Sequence, residues 1–125
     1  MFKIYLKGEN MKLAIIGSRS LNVENLGDYL PSNVSEIVSG GAKGIDSQAA
    51  EYARQNGLTL TEFLPDYARY GRSAPLKRNE QIAEYADAAL AFWDGKSKGT
   101  KYTISLFEKL GKRVVVVEKQ DSKNI

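Results

Sequence analysis

Three glycine-rich segments of this 125-residue chain combine hydroxyl and basic side chains of the kind that bind phosphate oxygens. They span residues 17–20 (GSRS), 39–46 (SGGAKGID) and 93–100 (WDGKSKGT). Glycine lets main-chain N–H groups approach an anion closely, and the polar side chains add hydrogen-bond donors. The segments match neither the Walker A nor the GxGxxG pattern. The candidate phosphate-binding residues in them are Gly17, Ser18, Arg19, Ser39, Gly40, Gly41, Lys43, Gly44, Asp94, Gly95, Ser97, Gly99 and Thr100.

A basic and aromatic segment at residues 65–75 offers a second type of ligand contact. Aromatic rings stack on nucleobases and arginines bind phosphates, so we expect a mobile functional loop here. Tyr70 and Trp93 are the candidate base-stacking residues. Arg78 and Asn79, at the start of the next helix, are candidates for holding the anion. The alternative is that the tyrosines pack back onto the sheet and the glycine segments are ordinary turns.

Candidate catalytic groups are restricted to a few residue types, because the chain contains neither histidine nor cysteine. This composition excludes an imidazole base, thiol chemistry and the usual zinc ligand sets. If a reaction occurs, the candidate general bases are Glu80, Asp46 and Asp94, in that order. Asp46 also has a structural interpretation, since an acidic residue in the first turn of a helix complements the helix dipole. The sequence therefore assigns no catalytic residue and predicts no metal.

The elements that would position these residues alternate along the chain. Short runs of branched apolar residues alternate with segments of helical spacing, which predicts a Rossmann-like α/β fold. We expect a single domain with an open sheet of about five parallel strands and helices on both faces. The predicted strands are 12–16, 36–39, 59–64, 88–93 and 113–118, and the predicted helices are 23–30, 45–56, 76–86 and 100–110. The valine-rich last strand is expected to be buried on both faces, and Gly57 and Gly111 to end helices in the left-handed conformation.

Length and charge place limits on the domain organisation and the partners. Residues 1–10 are predicted to be an N-terminal extension or an edge strand, 11–119 the nucleotide-binding domain and 120–125 a tail. Met11 is a second plausible start. The net charge of +3 suits anionic ligands but falls short of a dense duplex-binding stripe. No apolar run approaches the roughly 20 residues of a membrane span, so we expect a cytoplasmic protein that does not enter a membrane.

The three glycine-rich segments together resemble the SLOG superfamily of Rossmann-like nucleotide-binding domains, and most closely its small stand-alone, YpsA-related members. The resemblance covers residues 11–118. It implies a nucleotide, or an ADP-ribose-like ligand, as the small-molecule partner, with no other cofactor required. It also implies a homodimer.

Two branches of the superfamily give competing functional expectations. DNA-processing proteins of the DprA or Smf type share the motifs at 17–19 and 39–46 and bind single-stranded DNA, but this chain has Ala50 where they commonly carry histidine. Phosphoribohydrolases of the LOG type share features that map to Arg78, Asp87 and the Gly99–Thr100 pair. Their catalytic glutamate would fall within residues 101–103, which are Lys-Tyr-Thr here. Losing that carboxylate removes the group that stabilises the oxocarbenium-like transition state.

The function predicted from the sequence is therefore the binding, and possibly the processing, of a nucleotide or nucleotide-derived phosphate ligand. The alternatives are a single-stranded nucleic-acid-binding module, a phosphoribohydrolase acting on nucleoside monophosphates, and an interaction module without a ligand.

Overall fold

The structure, a computed structural model, describes residues 10–119, and their strands and helices alternate along the chain. The strands are β1 (Met11–Gly17), β2 (Val34–Ser39), β3 (Thr59–Glu62), β4 (Ala88–Trp93) and β5 (Arg113–Glu118). The helices are α1 (Ile45–Gln55), α2 (Tyr67–Tyr70), α3 (Ala74–Tyr85) and α4 (Lys98–Lys109). Two short 3-10 helices, Leu26–Tyr29 and Gly71–Ser73, lie in the connections. None of the helices in these residues is long and apolar enough to cross a membrane.

The five strands form one parallel sheet in the order β3-β2-β1-β4-β5, which confirms the predicted Rossmann-like fold. The chain runs outward from β1 to β3, then returns to the other side of β1 and continues to β5. This reversal leaves a topological switch point between β1 and β4. In open sheets of this type, ligands bind beyond the carboxyl ends of the strands at such a point.

Two apolar clusters cover the two faces of the sheet. On one face, α1 and the segment that follows β1 pack on Leu13, Ile15, Leu90 and Phe92. On the other face, α3 and α4 pack on small residues such as Ala14, Ala89 and Ala91, together with Ile16 and Val38. Helices on both faces were predicted from the alternation of elements, and the structure confirms them. Gly57 and Gly111 have φ of 65° and 70°, as predicted for left-handed helix ends.

Helix α3, which carries Arg78, is held at its C-terminal end by a lysine from the loop before β5. The Lys112 Nζ donates hydrogen bonds of 2.8 Å to the carbonyl groups of Ala83, Glu84 and Ala86. These carbonyls lack intrahelical partners at a helix end, so the ammonium group replaces those hydrogen bonds.

The predicted helix at 23–30 is wrong, because the segment forms only the 3-10 helix Leu26–Tyr29. Asn25 adopts a left-handed conformation with φ of 57°, which interrupts an α-helix. The Gln48 side chain of α1 also exchanges hydrogen bonds of 2.8 and 2.7 Å with the backbone of Val23. The apolar spacing that predicted a helix instead buries Leu21, Val23, Leu26 and Leu30 in an irregular segment.

The prediction that the last strand is buried on both faces is also wrong. β5 lies at the edge of the sheet and pairs with β4. Its residues are half-buried or exposed, and Val116 keeps 40% of its surface accessible. A run of valines indicates a strand but does not distinguish a central position from an edge.

The connection at 65–75 is more ordered than the predicted mobile loop. It contains the 3-10 helix Gly71–Ser73 and α2, whose N-cap residue Asp66 accepts a side-chain hydrogen bond from the Arg69 N–H at 3.1 Å. Helix α3 begins at Ala74, two residues earlier than predicted. The predicted N-terminal extension or edge strand, apart from residue 10, and the predicted tail at 120–125 lie outside the described residues.

Candidate functional site

Two turns meet at the switch point, where β1 and β4 end side by side. The Ser18 N–H donates to the Phe92 carbonyl at 3.1 Å, and the Asp94 N–H donates to the Ser18 Oγ at 3.3 Å. These bonds join the turn after β1 to the turn after β4. The candidate residues of both turns therefore share one edge of the sheet.

A cavity of about 470 Å³ opens at this edge, between the turns and helices α3 and α4. Its size lies within the range typical of small-molecule sites. Eleven of the candidate residues line it: Gly17, Ser18, Arg19, Gly40, Asp46, Arg78, Asn79, Asp94, Ser97, Gly99 and Thr100. The structure thus brings together residues from all three glycine-rich segments and from α3.

The turn between β2 and α1 is organised around the side chain of Arg78. The Arg78 Nη1 donates a hydrogen bond to the Gly40 carbonyl, and its Nε donates to the Asn79 Oδ1 at 2.8 Å. A Cβ atom at Gly40 would lie 2.6 Å from that Nη1, so only glycine leaves space for the guanidinium group. Arg78 is 9% exposed and is therefore largely committed to contacts within the protein.

Asp46, in the first turn of α1, supplies a buried carboxylate on the same side of the cavity. Its Oδ2 accepts a hydrogen bond from the Ala42 N–H at 3.1 Å, and the residue is 8% exposed. Burial raises the pKa of Asp46, opposed by the Ala42 hydrogen bond and the Arg78 charge. Burial likewise lowers the pKa of Arg78, opposed by the Asp46 charge. The two groups thus favour each other's ionised form.

Asp94 and Ser97 shape the turn that leads into α4. The Asp94 Oδ1 accepts hydrogen bonds of 2.8 Å from the N–H groups of Ser97 and Lys96, which lower the pKa of Asp94. Ser97 is the N-terminal cap of α4, and its Oγ accepts from the Thr100 N–H at 3.3 Å. Ser97, Gly99 and Thr100 line the cavity, so the positive end of the dipole of this 12-residue helix lies at the cavity.

Arg19 is the exposed cation of the site. It lines the cavity, and its backbone lies against the start of α1. Gly44 has φ of 71°, and a Cβ atom there would lie 2.5 Å from the Arg19 carbonyl oxygen. Gly44 thus acts through packing, because its missing side chain lets the turns after β1 and β2 come together.

The other candidate residues lie outside the cavity lining. The buried Ser39 accepts a hydrogen bond from the Gly41 N–H. The Trp93 Nε1 donates to the Ser97 carbonyl at 3.0 Å, and the Tyr70 ring lies 5.2 Å from the Arg69 guanidinium. The remaining candidates outside the lining are Gly41, Lys43, Gly44, Gly95 and Glu80.

Two carboxylates singled out in the sequence have partners elsewhere in the fold. The Glu80 Oε2 accepts a hydrogen bond from the Tyr102 hydroxyl at 2.9 Å, which joins α3 to α4. The Asp87 Oδ2 accepts from the Lys12 N–H at 2.9 Å, at the amino end of β1 and β4. Asp87 therefore lies at the end of the sheet opposite the cavity.

Seven further residues line the cavity that the sequence pattern did not indicate as ligand-binding. Pro75 and Ile82 lie on the face of α3 that presents Arg78, as expected for residues three to four positions apart. Thr103 follows Thr100 on the same face of α4. The other unpredicted lining residues are Ile16, Ser20, Ala42 and Leu76.

Comparisons with known proteins identify relatives of this chain. Residues 11–70 match YAcAr, described as the YspA, cpYpsA-related SLOG family. The "Gene 61 protein" of Mycobacterium phage D29 is 36% identical over 85 residues, which are 63% of this chain and 68% of that protein. No solved structure is significantly similar to the chain.

Proposed function

The chain belongs to the YspA, cpYpsA-related SLOG family, and on this basis we propose that it binds a nucleotide or nucleotide-derived ligand such as a mononucleotide or ADP-ribose. Membership of the family supports the binding of a nucleotide-related ligand without specifying which one. The ligand phosphate is proposed to lie in the cavity at the switch point.

The observation that carries this proposal is the convergence of three glycine-rich turns on one cavity at the switch point. Single glycine turns are common in α/β proteins, but turns that meet at this edge form a site for an anion. The first turn of α4 brings the side chains of Ser97 and Thr100 and the positive end of the helix dipole to the cavity. Arg19 adds a charged fork that suits the geometry of phosphate oxygens.

Arg78 is proposed to support the site rather than to bind the anion as its main ligand. Its Nη1 and Nε already donate to Gly40 and Asn79, and Asp46 balances its charge. The sequence predicted Arg78 as the residue that holds the anion. Arg19 fits that role better because it lines the cavity and, unlike Arg78, is exposed.

The proposal concerns binding and assigns no catalytic residue. The candidate carboxylates that line the cavity are Asp46 and Asp94, whereas Glu80 lies outside the lining and binds Tyr102. The Asp94 carboxylate is held ionised by two amides and is therefore a weak base. Residues 101–103 supply no carboxylate for N-glycosidic hydrolysis.

Thermal shift measurements with AMP, adenosine and an oligothymidylate test this proposal. We expect AMP to raise Tm and adenosine to do so much less, because the phosphate makes the charge-assisted contacts. Arg19→Ala should weaken AMP binding by about tenfold or more, the usual effect of losing a hydrogen bond to a charged group. Arg54→Ala is the matched control, since Arg54 is an exposed arginine on α1 outside the cavity.

Three outcomes would contradict the proposal. Equal shifts with AMP and adenosine would mean that phosphate is not recognised. A salt-sensitive shift with the oligonucleotide alone would favour single-stranded nucleic-acid binding. Release of ribose 5-phosphate from AMP would favour a phosphoribohydrolase.

A further inference from the structure

Two charged side chains on the lining of the cavity have hydrogen-bonding atoms without a partner in the protein. The Asp46 carboxylate accepts from the Ala42 N–H at Oδ2, and the Arg78 guanidinium donates from Nη1 and Nε. Within residues 10–119, the Asp46 Oδ1 and the Arg78 Nη2 have no hydrogen-bond partner. Both residues are more than nine-tenths buried, with 8% and 9% of their surface exposed.

These two atoms are accessible from the cavity. Every fully buried side-chain nitrogen or oxygen in the described part of the chain has a hydrogen-bond partner. Because the Asp46 Oδ1 and the Arg78 Nη2 have none, they belong to the small part of each side chain that stays accessible. Both residues line the cavity, so a ligand bound there can reach these atoms.

The two charged groups lie near each other without direct contact. A Cβ atom at Gly40 would lie 2.6 Å from the Arg78 Nη1 and 3.0 Å from the Asp46 Oδ2, so both groups border the same small space. No ion pair joins them within 4.0 Å in residues 10–119. Buried polar groups are nearly always hydrogen-bonded, because their desolvation is otherwise uncompensated. A buried donor and a buried acceptor without partners therefore indicate a ligand group that bonds to both.

The ligand group that fits this pair is a hydroxyl. A hydroxyl both donates and accepts, so it can donate to the Asp46 carboxylate and accept from the Arg78 guanidinium. A phosphate does not fit here, because its oxygens and those of a carboxylate are negatively charged acceptors that repel each other. The ribose of a nucleotide carries two neighbouring hydroxyls, which can meet both charged groups while the phosphate lies elsewhere in the cavity.

We infer that Asp46 and Arg78 bind the 2′- and 3′-hydroxyls of a ribose, which makes the site selective for ribonucleotides over deoxynucleotides. The inference rests on the proposed function and specifies the sugar of its ligand. A Cβ atom at Gly17 would lie 2.5 Å from the Ile45 Cγ1, so the start of α1 lies directly beside the end of β1. The sugar site is therefore next to the turn that carries Arg19, where the phosphate is proposed to bind.

Titration calorimetry with AMP and 2′,3′-dideoxy-AMP tests the inference, because the two compounds differ only in these hydroxyls. We expect the wild-type protein to bind AMP at least about tenfold more tightly, the usual effect of a hydrogen bond to a charged group. Asp46→Asn should lose most of this preference and bind dideoxy-AMP as wild type does. The side-chain oxygen of Asn is needed to accept from the Ala42 N–H, which leaves an NH₂ group in place of the free carboxylate oxygen.

Glu51→Gln is the matched control, since Glu51 is an exposed carboxylate of α1 outside the cavity. This variant should keep the full preference for AMP. A second measurement uses wild-type protein alone and does not depend on how the Asp46 variant folds. The Ala42 N–H is bonded to the Asp46 carboxylate, so its ¹⁵N NMR signal should shift more with AMP than with dideoxy-AMP.

The inference is overturned if wild-type protein binds the two compounds equally, or if the Ala42 amide responds equally to both. It is also overturned if Asp46→Asn keeps the full preference, or weakens the binding of both compounds by the same factor. Failure of the wild-type protein to bind either compound would instead reject the proposed function.

Discussion

Two arginines line the cavity, and their surroundings give them different roles. Arg19 is exposed to solvent, whereas Arg78 is buried and hydrogen-bonded to Gly40 and Asn79. A buried guanidinium group without hydrogen bonds destabilises the folded state, because its desolvation is not compensated. The hydrogen bonds of Arg78 to Gly40 and Asn79 therefore stabilise the fold. The sequence could not predict which of the two arginines is buried, because the burial of Arg78 depends on how α3 packs against the turn between β2 and α1.

Arg78→Ala is expected to lower the free energy of unfolding by roughly 2 to 4 kcal/mol, because it leaves the Gly40 carbonyl and the Asp46 carboxylate without their buried partner. Urea unfolding measures the change, with the exposed Arg54→Ala as the control. A loss of stability no larger than that of the control would show that Arg78 does not organise the turn.

The contributions of Asp46 and Asp94 to the stability of the protein are expected to change with pH in opposite directions. Burial raises the pKa of Asp46 above its ordinary value of 3.8, so its contribution is present below pH 3.8 and is lost as the pH rises through the folded value. The amides of Ser97 and Lys96 lower the pKa of Asp94 below 3.8. Its contribution is therefore present above pH 3.8 and is lost as the pH falls through the folded value.

Urea unfolding of Asp46→Asn and Asp94→Asn from about pH 3 to about pH 7 tests these signs. Relative to wild type, the stability of Asp46→Asn should rise with pH, and that of Asp94→Asn should fall. The same sign for both variants would contradict the contrast between the buried Asp46 carboxylate and the Asp94 carboxylate that accepts hydrogen bonds from two amides.

At the scale of elements, the packing of the turn between β2 and α1 against the turn after β1 depends on Gly44. Gly44→Ala is expected to destabilise the protein by on the order of 2 kcal/mol or more, since φ is 71° and a Cβ atom would meet the Arg19 carbonyl. Gly99 provides the control, because it lies in the first turn of α4 with no atom within 4 Å of an added Cβ.

Gly99→Ala should leave stability unchanged or raise it by up to about 1 kcal/mol, the difference in helix propensity. Because Gly99 lines the cavity, we expect the added methyl group to weaken AMP binding in this variant. Thermal and urea unfolding of both variants measure the contrast. Equal losses of stability would show that Gly44 is not required for packing.

The elements could be predicted from the sequence where one local signal determined them. All five strands were located from runs of branched apolar residues, and α1, α3 and α4 from helical spacing, to within about two residues at most boundaries. The segment at 23–30 failed because the left-handed Asn25 and the side-chain contact from Gln48 are specific to the folded state. The burial of β5 failed because edge position is a property of the whole sheet.

At the scale of the whole molecule, the strand order determines which predicted residues meet. Parallel strands place all their following turns at one edge, so the sequence could predict that the segments after β1, β2 and β4 converge there. It could not predict that Gly44 packs against Arg19, or that Glu80 faces Tyr102 on α4.

Several features of the whole protein stay predictions. These are the homodimer, the cytoplasmic location and the single domain at residues 11–119. The edge strand β5, with Val116 exposed, and the surface near Leu110 are available in this structure to contact a second copy. Sedimentation of the full chain measures the oligomeric state.

The most direct test of phosphate binding at the switch point is a ¹⁵N NMR titration that compares AMP with adenosine. With AMP, we predict that the largest amide shifts occur at residues 17–20 and 97–100, where the turn after β1 and the first turn of α4 line the cavity. Adenosine should leave these amides nearly unchanged because it lacks the phosphate. Shifts confined to another surface, or equal shifts with both compounds, would contradict the proposed site.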